Sequence, residues 1–161
     1  MASKKIPGTS AVRELEAHRI PYALFSYRYE EKGGTRVAAH SLGVDEHRVI
    51  KTLVMETEEG DPFLLLMHGD RHVSTKALAR LLGAKRVVPS SPDRAHKVTG
   101  YLVGGVSPFG TRKALRLYME ASIIALPEVY INAGRRGLMA RISPQDLDRI
   151  LKPVHVKVAT S

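Results

Sequence analysis

A chain of 161 residues with 43% hydrophobic content can bury one sizeable core but hardly two, so we expect a single domain over residues 1–161. The formal net charge is +9 at pH 7, and the absence of cysteine excludes disulfides, thiolate metal sites and a cysteine nucleophile. No apolar run approaches the roughly 20 residues of a membrane-spanning helix, and the basic start of the chain leads into a polar segment, so we expect a cytoplasmic protein with no membrane partner.

Caps, prolines and hydrophobic periodicity in the first half of the chain predict two helices and three strands. In chain order these are a helix from Thr9 or Ser10 to about Arg19, a strand over 22–29, a helix over 35–42, and strands over 49–57 and 62–68. The last two strands flank the turn Glu58-Glu59-Gly60-Asp61 and form the clearest hairpin. We expect this hairpin at the centre of a sheet.

The second half of the chain predicts three more helices and five short strands. In chain order these are a helix from Ser74 or Thr75 to Gly83 with Leu78, Leu81 and Leu82 inward, a helix from Pro92 to Gly100, strands over 116–119, 123–125, 129–132 and 138–142, a helix over 144–151, and a strand over 154–158. Hairpins mix with short helices instead of alternating strictly with them. This order predicts an α+β fold and not a doubly wound one.

Basic residues are concentrated between Arg71 and Lys113, a segment that we call the basic sector. It holds nine basic residues and one acidic residue, a net charge of +8. Such a segment attracts a polyanion through the release of condensed counterions, so nucleic acid is the natural partner. The alternative is a solvated surface that keeps the protein soluble. Charge alone does not distinguish RNA from DNA.

Lys51 is the first candidate for a functional side chain. Because side chains alternate along a strand, Lys51 shares a face with Val49, Leu53 and Met55. Burying an unpaired ammonium costs several kcal/mol, so Lys51 must reach solvent, a partner or an anionic ligand. The alternative is an edge-strand lysine whose stem lies on apolar surface while its charge stays in water.

A second candidate is the loop from Gly104 to Gly110, which contains three glycines and a proline. Its main-chain N–H groups can approach a phosphate or a developing oxyanion closely. The spacing matches neither the phosphate-binding P-loop nor the dinucleotide fingerprint, and an ordinary connection is the alternative. The seven histidines show no metal-ligand spacing, since Gly69 and Asp70 break any helix between His68 and His72. We therefore predict no metal and no cofactor.

Three blocks in order along the chain resemble the YbaK/EbsC family, the free-standing relatives of the editing domain inserted in bacterial prolyl-tRNA synthetase. The blocks are Lys51-Thr52-Leu53, Thr99-Gly100-Tyr101-Leu102-Val103-Gly104-Gly105-Val106-Ser107-Pro108-Phe109-Gly110, and Tyr130-Ile131-Asn132-Ala133-Gly134-Arg135-Arg136-Gly137-Leu138. The similarity extends from about Pro7 to Val158. It implies a mixed β-barrel-like sheet flanked by short helices.

The resemblance also implies an aminoacyl-tRNA deacylase that acts in trans, most often on Cys-tRNA(Pro). In the family the thiol of the substrate is thought to attack its own ester, giving a cyclic thiolactone and free tRNA. Lys51 matches the lysine on which activity depends, and we expect it to act as a cation that holds a phosphate or the substrate. The residues implied in substrate binding are Tyr27, Gly104, Gly105, Val106, Ser107, Pro108, Gly110, Asn132 and Gly134.

Two positions depart from the common pattern of the cysteine deacylases. Met139 replaces an acidic residue, and Asn132 stands where serine is common. A pocket for alanine or serine is therefore the alternative, with cysteine as the first choice. The expected partners are aminoacyl-tRNA, with proline tRNA first, and prolyl-tRNA synthetase. A noncatalytic module that holds RNA or a synthetase through the basic sector is the rival from another class.

Overall fold

Five helices and ten strands make up the regular structure of residues 8–161, the part of the chain that this computed structural model describes. The helices are α1 Ser10–Ala17, α2 Gly34–Leu42, α3 Thr75–Leu82, α4 Pro92–Thr99 and α5 Pro144–Leu151. The strands are β1 Ala23–Ser26, β2 Val49–Thr57, β3 Pro62–His68, β4 His72–Val73, β5 Val87–Pro89, β6 Arg116–Glu120, β7 Val129–Asn132, β8 Leu138–Ile142, β9 Val154–Val156 and β10 Ala159–Thr160. Short 3-10 helices span Glu46–Arg48 and Ala121–Ala125. The basic start of the chain, Met1 to Lys5, lies outside the described residues.

The helix boundaries follow from their caps. The hydroxyls of Thr9, Ser74, Ser91 and Ser143 each accept a main-chain N–H in the first turn of the helix that follows, which satisfies one donor that the helix cannot pair. α2, α3 and α4 each end at a glycine in the left-handed conformation. These signals are local in sequence, and the five predicted helices are confirmed.

The sheet is mixed, in the order β1-β8-β7-β2-β3-β6-β9, with β5 also paired to β2. β2 and β3 form an antiparallel hairpin with Lys51 opposite Met67, whereas β2–β7, β3–β6 and β6–β9 are parallel pairs. The predicted central hairpin is therefore confirmed, as is the α+β class with a mixed sheet flanked by short helices. A separate two-stranded sheet joins β10 to β4.

Apolar side chains on both faces of the sheet are covered. Ile50, Val54 and Leu66 lie in the larger core together with residues of α1, α4 and α5. On the other face, Met55 and Leu65 pack with residues of α3 in a second core. A third and smaller core lies between α2 and the strands β2, β7 and β8. This last core lies beside the candidate site.

Two local predictions are wrong. The segment 123–125, predicted as a strand, belongs to the 3-10 helix Ala121–Ala125, because a short apolar run has the same pattern in either state. Leu81, predicted to face inward, is 59% exposed. The buried face of α3 is centred between Leu78 and Ala79, which carries Leu81 away from the core. Within residues 8–161, no helix has the length and apolar character needed to cross a membrane.

Candidate functional site

The candidate site lies where the edge of β2 is left uncovered. β2 pairs with β7 only at Val49 and Ile50, and with β5 only from Met55 onward. Between these two pairings neither neighbouring strand covers residues 51–53. A pocket of about 530 Å³ opens there.

The walls of this pocket come from four parts of the chain, together with Pro92 at the start of α4. They are the segment around β1 and α2, the exposed stretch of β2, the glycine-rich loop, and the strands β7 and β8 with the turn between them. The lining residues include Tyr27, Tyr29, Thr35, Lys51, Thr52, Val103, Gly104, Val106, Asn132, Arg136 and Met139. Charged groups at the pocket include Glu30, Glu31 and Lys32 besides Lys51 and Arg136. The pocket therefore combines an apolar wall with several separate charges.

Lys51 is half-buried in the pocket, and its ammonium is held by main-chain oxygens. Its Nζ donates to the carbonyl oxygen of Arg71 at 2.6 Å and makes a longer contact of 3.5 Å with that of Gly69. Burial lowers the pKa of Lys51 below its ordinary 10.5, while the carboxylates of Glu46 and Asp70 offset part of that effect. The lysine is thus neither a solvated edge residue nor a paired core residue.

The glycine-rich loop faces Lys51 through Gly104 and Val106, which both line the pocket. Asn132 fixes this loop, because its Nδ2 donates to the Gly104 carbonyl at 2.9 Å while its Oδ1 accepts the N–H groups of Gly134 and Arg135. Its amide is therefore largely occupied by protein groups. Asn132 joins the loop to the turn after β7.

A second link across the pocket mouth comes from Arg136. Its Nε donates to the carbonyl oxygen of Val103 at 2.9 Å, and its guanidinium lies 5.0 Å from the centre of the Tyr29 ring. Gly104 has φ +93, and a Cβ there would lie 2.6 Å from the Tyr29 hydroxyl oxygen. Only glycine fits this close approach without displacing the tyrosine.

Five of the predicted binding residues do not line the pocket. These are Gly105, Ser107, Pro108, Gly110 and Gly134. For example, the Ser107 hydroxyl accepts the Phe109 N–H at 3.1 Å, and a Cβ on Gly110 would lie 2.5 Å from the Ser10 carbonyl oxygen. These contacts support the loop, and a direct role in binding stays a prediction.

Tyr27 and Met139 meet at the apolar side of the pocket. The main-chain N–H of Tyr27 donates to the Gly137 carbonyl at 2.9 Å, and burial raises the pKa of its phenol above the ordinary value. Met139 is 4% exposed and packs with Val49 and Tyr130 in the third core. The thioether of Met139, at a position where the sequence departs from the common pattern of the cysteine deacylases, thus forms part of the pocket wall.

Several pocket residues were not singled out by the sequence. Tyr29 and Thr35 carried only weak signals, an aromatic alternation and a helix start. Thr52 lines the pocket, and its hydroxyl is buried. Among the buried side-chain nitrogen and oxygen atoms of residues 8–161, this hydroxyl oxygen alone has no hydrogen-bond partner. In the same part of the chain, no three His, Asp or Glu side chains gather as metal ligands would. No sequence pattern signals an unpaired hydroxyl, because it depends on the tertiary surroundings.

With this geometry established, similarity to known proteins defines the class. The family model for the aminoacyl-tRNA editing domain matches residues 30–150, and the chain belongs to this family. The matched region includes Lys51, the glycine-rich loop and Asn132.

Individual relatives narrow the class further. The chain is 30% identical over 147 residues to EbsC of Enterococcus faecalis, named as a candidate Cys-tRNA(Pro)/Cys-tRNA(Cys) deacylase, with 90% of each chain covered. It is 34% identical over 96 residues to a proline–tRNA ligase of Moorella thermoacetica, covering 60% of this chain and 16% of the ligase. A solved structure described as a candidate trans-editing enzyme for prolyl tRNA synthetase aligns with a TM-score of 0.82 at 22% identity, covering 98% of this chain and all of the other. The chain is therefore a YbaK/EbsC-type member of the editing family.

Proposed function

We propose that the protein removes wrongly attached amino acids from tRNA in trans by cleaving the aminoacyl ester, and that Cys-tRNA(Pro) is its preferred substrate. One observation carries the proposal: the half-buried ammonium of Lys51 and the backbone of Gly104 line one pocket at an open strand edge. An editing site separate from the synthetase is useful because the binding pocket of a synthetase distinguishes small amino acids by only about 1–3 kcal/mol.

An aminoacyl ester is already electrophilic, so the site needs mainly to orient it and to stabilise negative charge. For a cysteinyl ester, the sulfur of the substrate attacks its own carbonyl carbon. The C–S bond forms, the bond from carbon to the tRNA ribose oxygen breaks, and the thiol proton passes to that oxygen. Lys51 acts as a cation near the developing charge, and Arg136 at the pocket mouth suits a phosphate of the tRNA 3′ end.

Alanine is the second candidate amino acid, and one observation favours it. Met139 places an apolar and buried side chain in the pocket wall, where no carboxylate of that residue can bind a charged substrate group. An apolar wall accepts the methyl group of alanine as readily as the thiol of cysteine. Serine, whose hydroxyl would need a polar partner, suits this wall less well.

The surroundings of the reaction follow from the same proposal. Proline tRNA is the expected carrier, and prolyl-tRNA synthetase is the expected protein partner. The reaction belongs in the cytoplasm, where tRNA is charged, and the 161 residues act as one domain. A purely tRNA-binding or synthetase-binding module is the alternative that the activity assay decides.

The test is to incubate the protein with proline tRNA charged with cysteine, alanine or serine and to follow loss of the ester. We expect cleavage of the cysteinyl ester well above the rate without protein, with the alanyl ester next. Proline tRNA charged with proline is the control and should stay intact. If none of the mischarged species is cleaved faster than in buffer, the protein is not a deacylase.

A further inference from the structure

The ammonium of Lys51 is oriented by the turn that follows β3. Its two protein acceptors are the carbonyl oxygens of Arg71 at 2.6 Å and Gly69 at 3.5 Å. A lysine ammonium has three N–H bonds, so this arrangement leaves one for a substrate atom. The position of the turn over residues 69–71 therefore sets the position of the charge.

The turn is tightly held at Gly69. Its N–H donates to the Val49 carbonyl at 2.8 Å, and its own carbonyl lies 3.2 Å from the Thr35 hydroxyl. A Cβ at this position would lie 2.5 Å from the same hydroxyl oxygen, so no larger residue fits without a shift. One end of the turn is thus anchored to β2 and α2.

Behind the turn lies His68, the last residue of β3, which is 1% exposed. Its Nδ1 lies 2.8 Å from the His47 carbonyl oxygen and must donate to it, since a carbonyl only accepts. Its Nε2, 2.7 Å from the Ser122 hydroxyl, then accepts in the neutral ring. Burial lowers the pKa of His68, which agrees with a neutral side chain. Both ring nitrogens are fully used.

His47 locks the other side of the turn. Its ring stacks on that of His68 with centroids 3.7 Å apart and planes 5° apart. Its Nδ1 lies 2.8 Å from a carboxylate oxygen of Asp70, the residue between the two carbonyls that bind Lys51. The main-chain N–H of Arg71 also donates to the His68 carbonyl at 3.1 Å. The His47 ring thus contacts the turn through Asp70, and the His68 ring packs against His47, while the main chain of His68 bonds to Arg71 directly.

We infer that His47 and His68 are positioning residues, which fix the 69–71 turn and through its carbonyls the ammonium of Lys51. Neither histidine lines the pocket, so neither touches the substrate there. The inference rests on the proposed function for its kinetic readout. The structural test of the inference is independent of the proposed function, because the environment of Lys51 can be measured in the free protein.

Two substitutions of His68 separate positioning from simple filling of space. His68→Phe keeps a flat ring against His47 and removes both ring-nitrogen hydrogen bonds. His68→Asn keeps a donor at the place of Nδ1. We expect His68→Phe to lower kcat about tenfold with little change in KM, and His68→Asn to restore most of the activity. His155→Phe, which removes the hydrogen bond from a surface imidazole to Asp148, is the matched control and should leave kcat unchanged.

The second readout is the titration of Lys51, followed through the ¹³C shift of its Cε in the free protein. In His68→Phe the turn loosens, the ammonium regains water, and its pKa moves back toward 10.5. His47→Ala, whose ring is only partly buried, should act in the same direction and decides the matter if His68→Phe does not fold. If kcat and the Lys51 titration both match the wild type in the folded variants, the inference is overturned. A wild type that cleaves no ester removes the proposed function, and the titration then tests the positioning alone.

Discussion

At the scale of single residues, Lys51 and Thr52 both place a polar group in the pocket at a cost in stability. The Lys51 ammonium is half-buried, and the Thr52 hydroxyl is buried without a partner. Buried polar groups are ordinarily satisfied, so an unpaired hydroxyl at Thr52 beside the partly desolvated ammonium of Lys51 marks a place shaped by something other than stability. This is the physical basis for proposing that the chemistry takes place at this stretch of β2.

The lowered pKa of Lys51 predicts how activity depends on pH. In the proposed mechanism the ammonium is the active form, and it is lost as the pH rises through its pKa in the folded protein, which lies below 10.5. The enzymatic rate, corrected for spontaneous ester hydrolysis, should therefore begin to fall below pH 10.5. Single-turnover rates on Cys-tRNA(Pro) across the alkaline range measure this limb. A rate that stays level to pH 10.5 would show that the charge on Lys51 is not required.

Thr52→Val should leave the free protein as stable as the wild type, or raise its free energy of unfolding by about 1 kcal/mol, because it removes an unpaired buried hydroxyl. Thr99→Val is the matched control. The Thr99 hydroxyl donates to the Ala95 carbonyl at 2.7 Å and accepts the Tyr101 N–H, so its loss should cost about 1–3 kcal/mol. Urea unfolding of both variants provides the comparison. Equal losses in both would mean that the Thr52 hydroxyl has a partner after all.

At the scale of elements, the pocket depends on a loop that only glycine permits. Gly104 combines a left-handed φ with close contact to Tyr29, and its carbonyl is bound by Asn132. The loop around Gly104 and the turn after β7 therefore support each other across the pocket mouth. A change in the loop should affect the site before it affects the rest of the fold.

Gly104→Ala should lower deacylation about tenfold or more, because the added methyl displaces Tyr29 and shifts the pocket wall. Gly83→Ala is the control for the backbone strain alone. Gly83 also has positive φ, at +67, but a Cβ there meets nothing within 4 Å. Both variants should lose about 1 kcal/mol of stability through backbone strain, Gly104→Ala should lose more through its contact with Tyr29, and only Gly104→Ala should lose activity. Parallel losses of activity in the two would point to general destabilisation.

Elements with local signals were predictable from the sequence, and those set by tertiary contacts were not. Cap residues located α3, α4 and α5, and the turn at Gly60 located the β2–β3 hairpin. No local pattern in the sequence signals the strands β4 and β10, which pair with each other. Their formation depends on tertiary contacts, because the buried carboxylate of Glu120 accepts the N–H groups of Val158 and Ala159. In the site, Lys51 and Gly104 stood out as residue types in unusual settings. The stacked histidines did not stand out in the sequence, because their stacking depends on how the fold brings β3 and the 3-10 helix Glu46–Arg48 together.

At the scale of the whole molecule, the net charge of +9 is unevenly used. Within the basic sector, Arg94 pairs with Glu56 at 3.2 Å and Arg112 donates to the Lys97 carbonyl. The remaining side chains are exposed: Arg71, Lys76, Arg80, Lys85, Arg86, Lys97 and Lys113. These exposed charges are available to a polyanion, which suits a protein whose substrate is a tRNA.

Binding to tRNA should weaken as salt increases, with a log–log slope of about −0.9 for each phosphate neutralised on a duplex. The double variant Lys76→Gln with Arg80→Gln should make that slope shallower. Arg149→Gln, which removes a charge paired with Asp146 outside the sector, is the control and should leave the slope unchanged. Filter binding between about 50 and 200 mM salt gives the slopes. A flat response would mean that the basic sector does not contact the tRNA.

The most direct measurement compares Lys51→Ala with the wild type in two assays on the same Cys-tRNA(Pro) preparation, one for ester cleavage and one for binding. The ammonium of Lys51 lines the pocket, whereas the seven exposed side chains of the sector listed above do not. The substitution should therefore abolish cleavage while binding stays within about threefold of the wild type. Cleavage at the wild-type rate by Lys51→Ala would contradict a catalytic role for this pocket, and an equal loss of cleavage and binding would assign Lys51 to affinity alone.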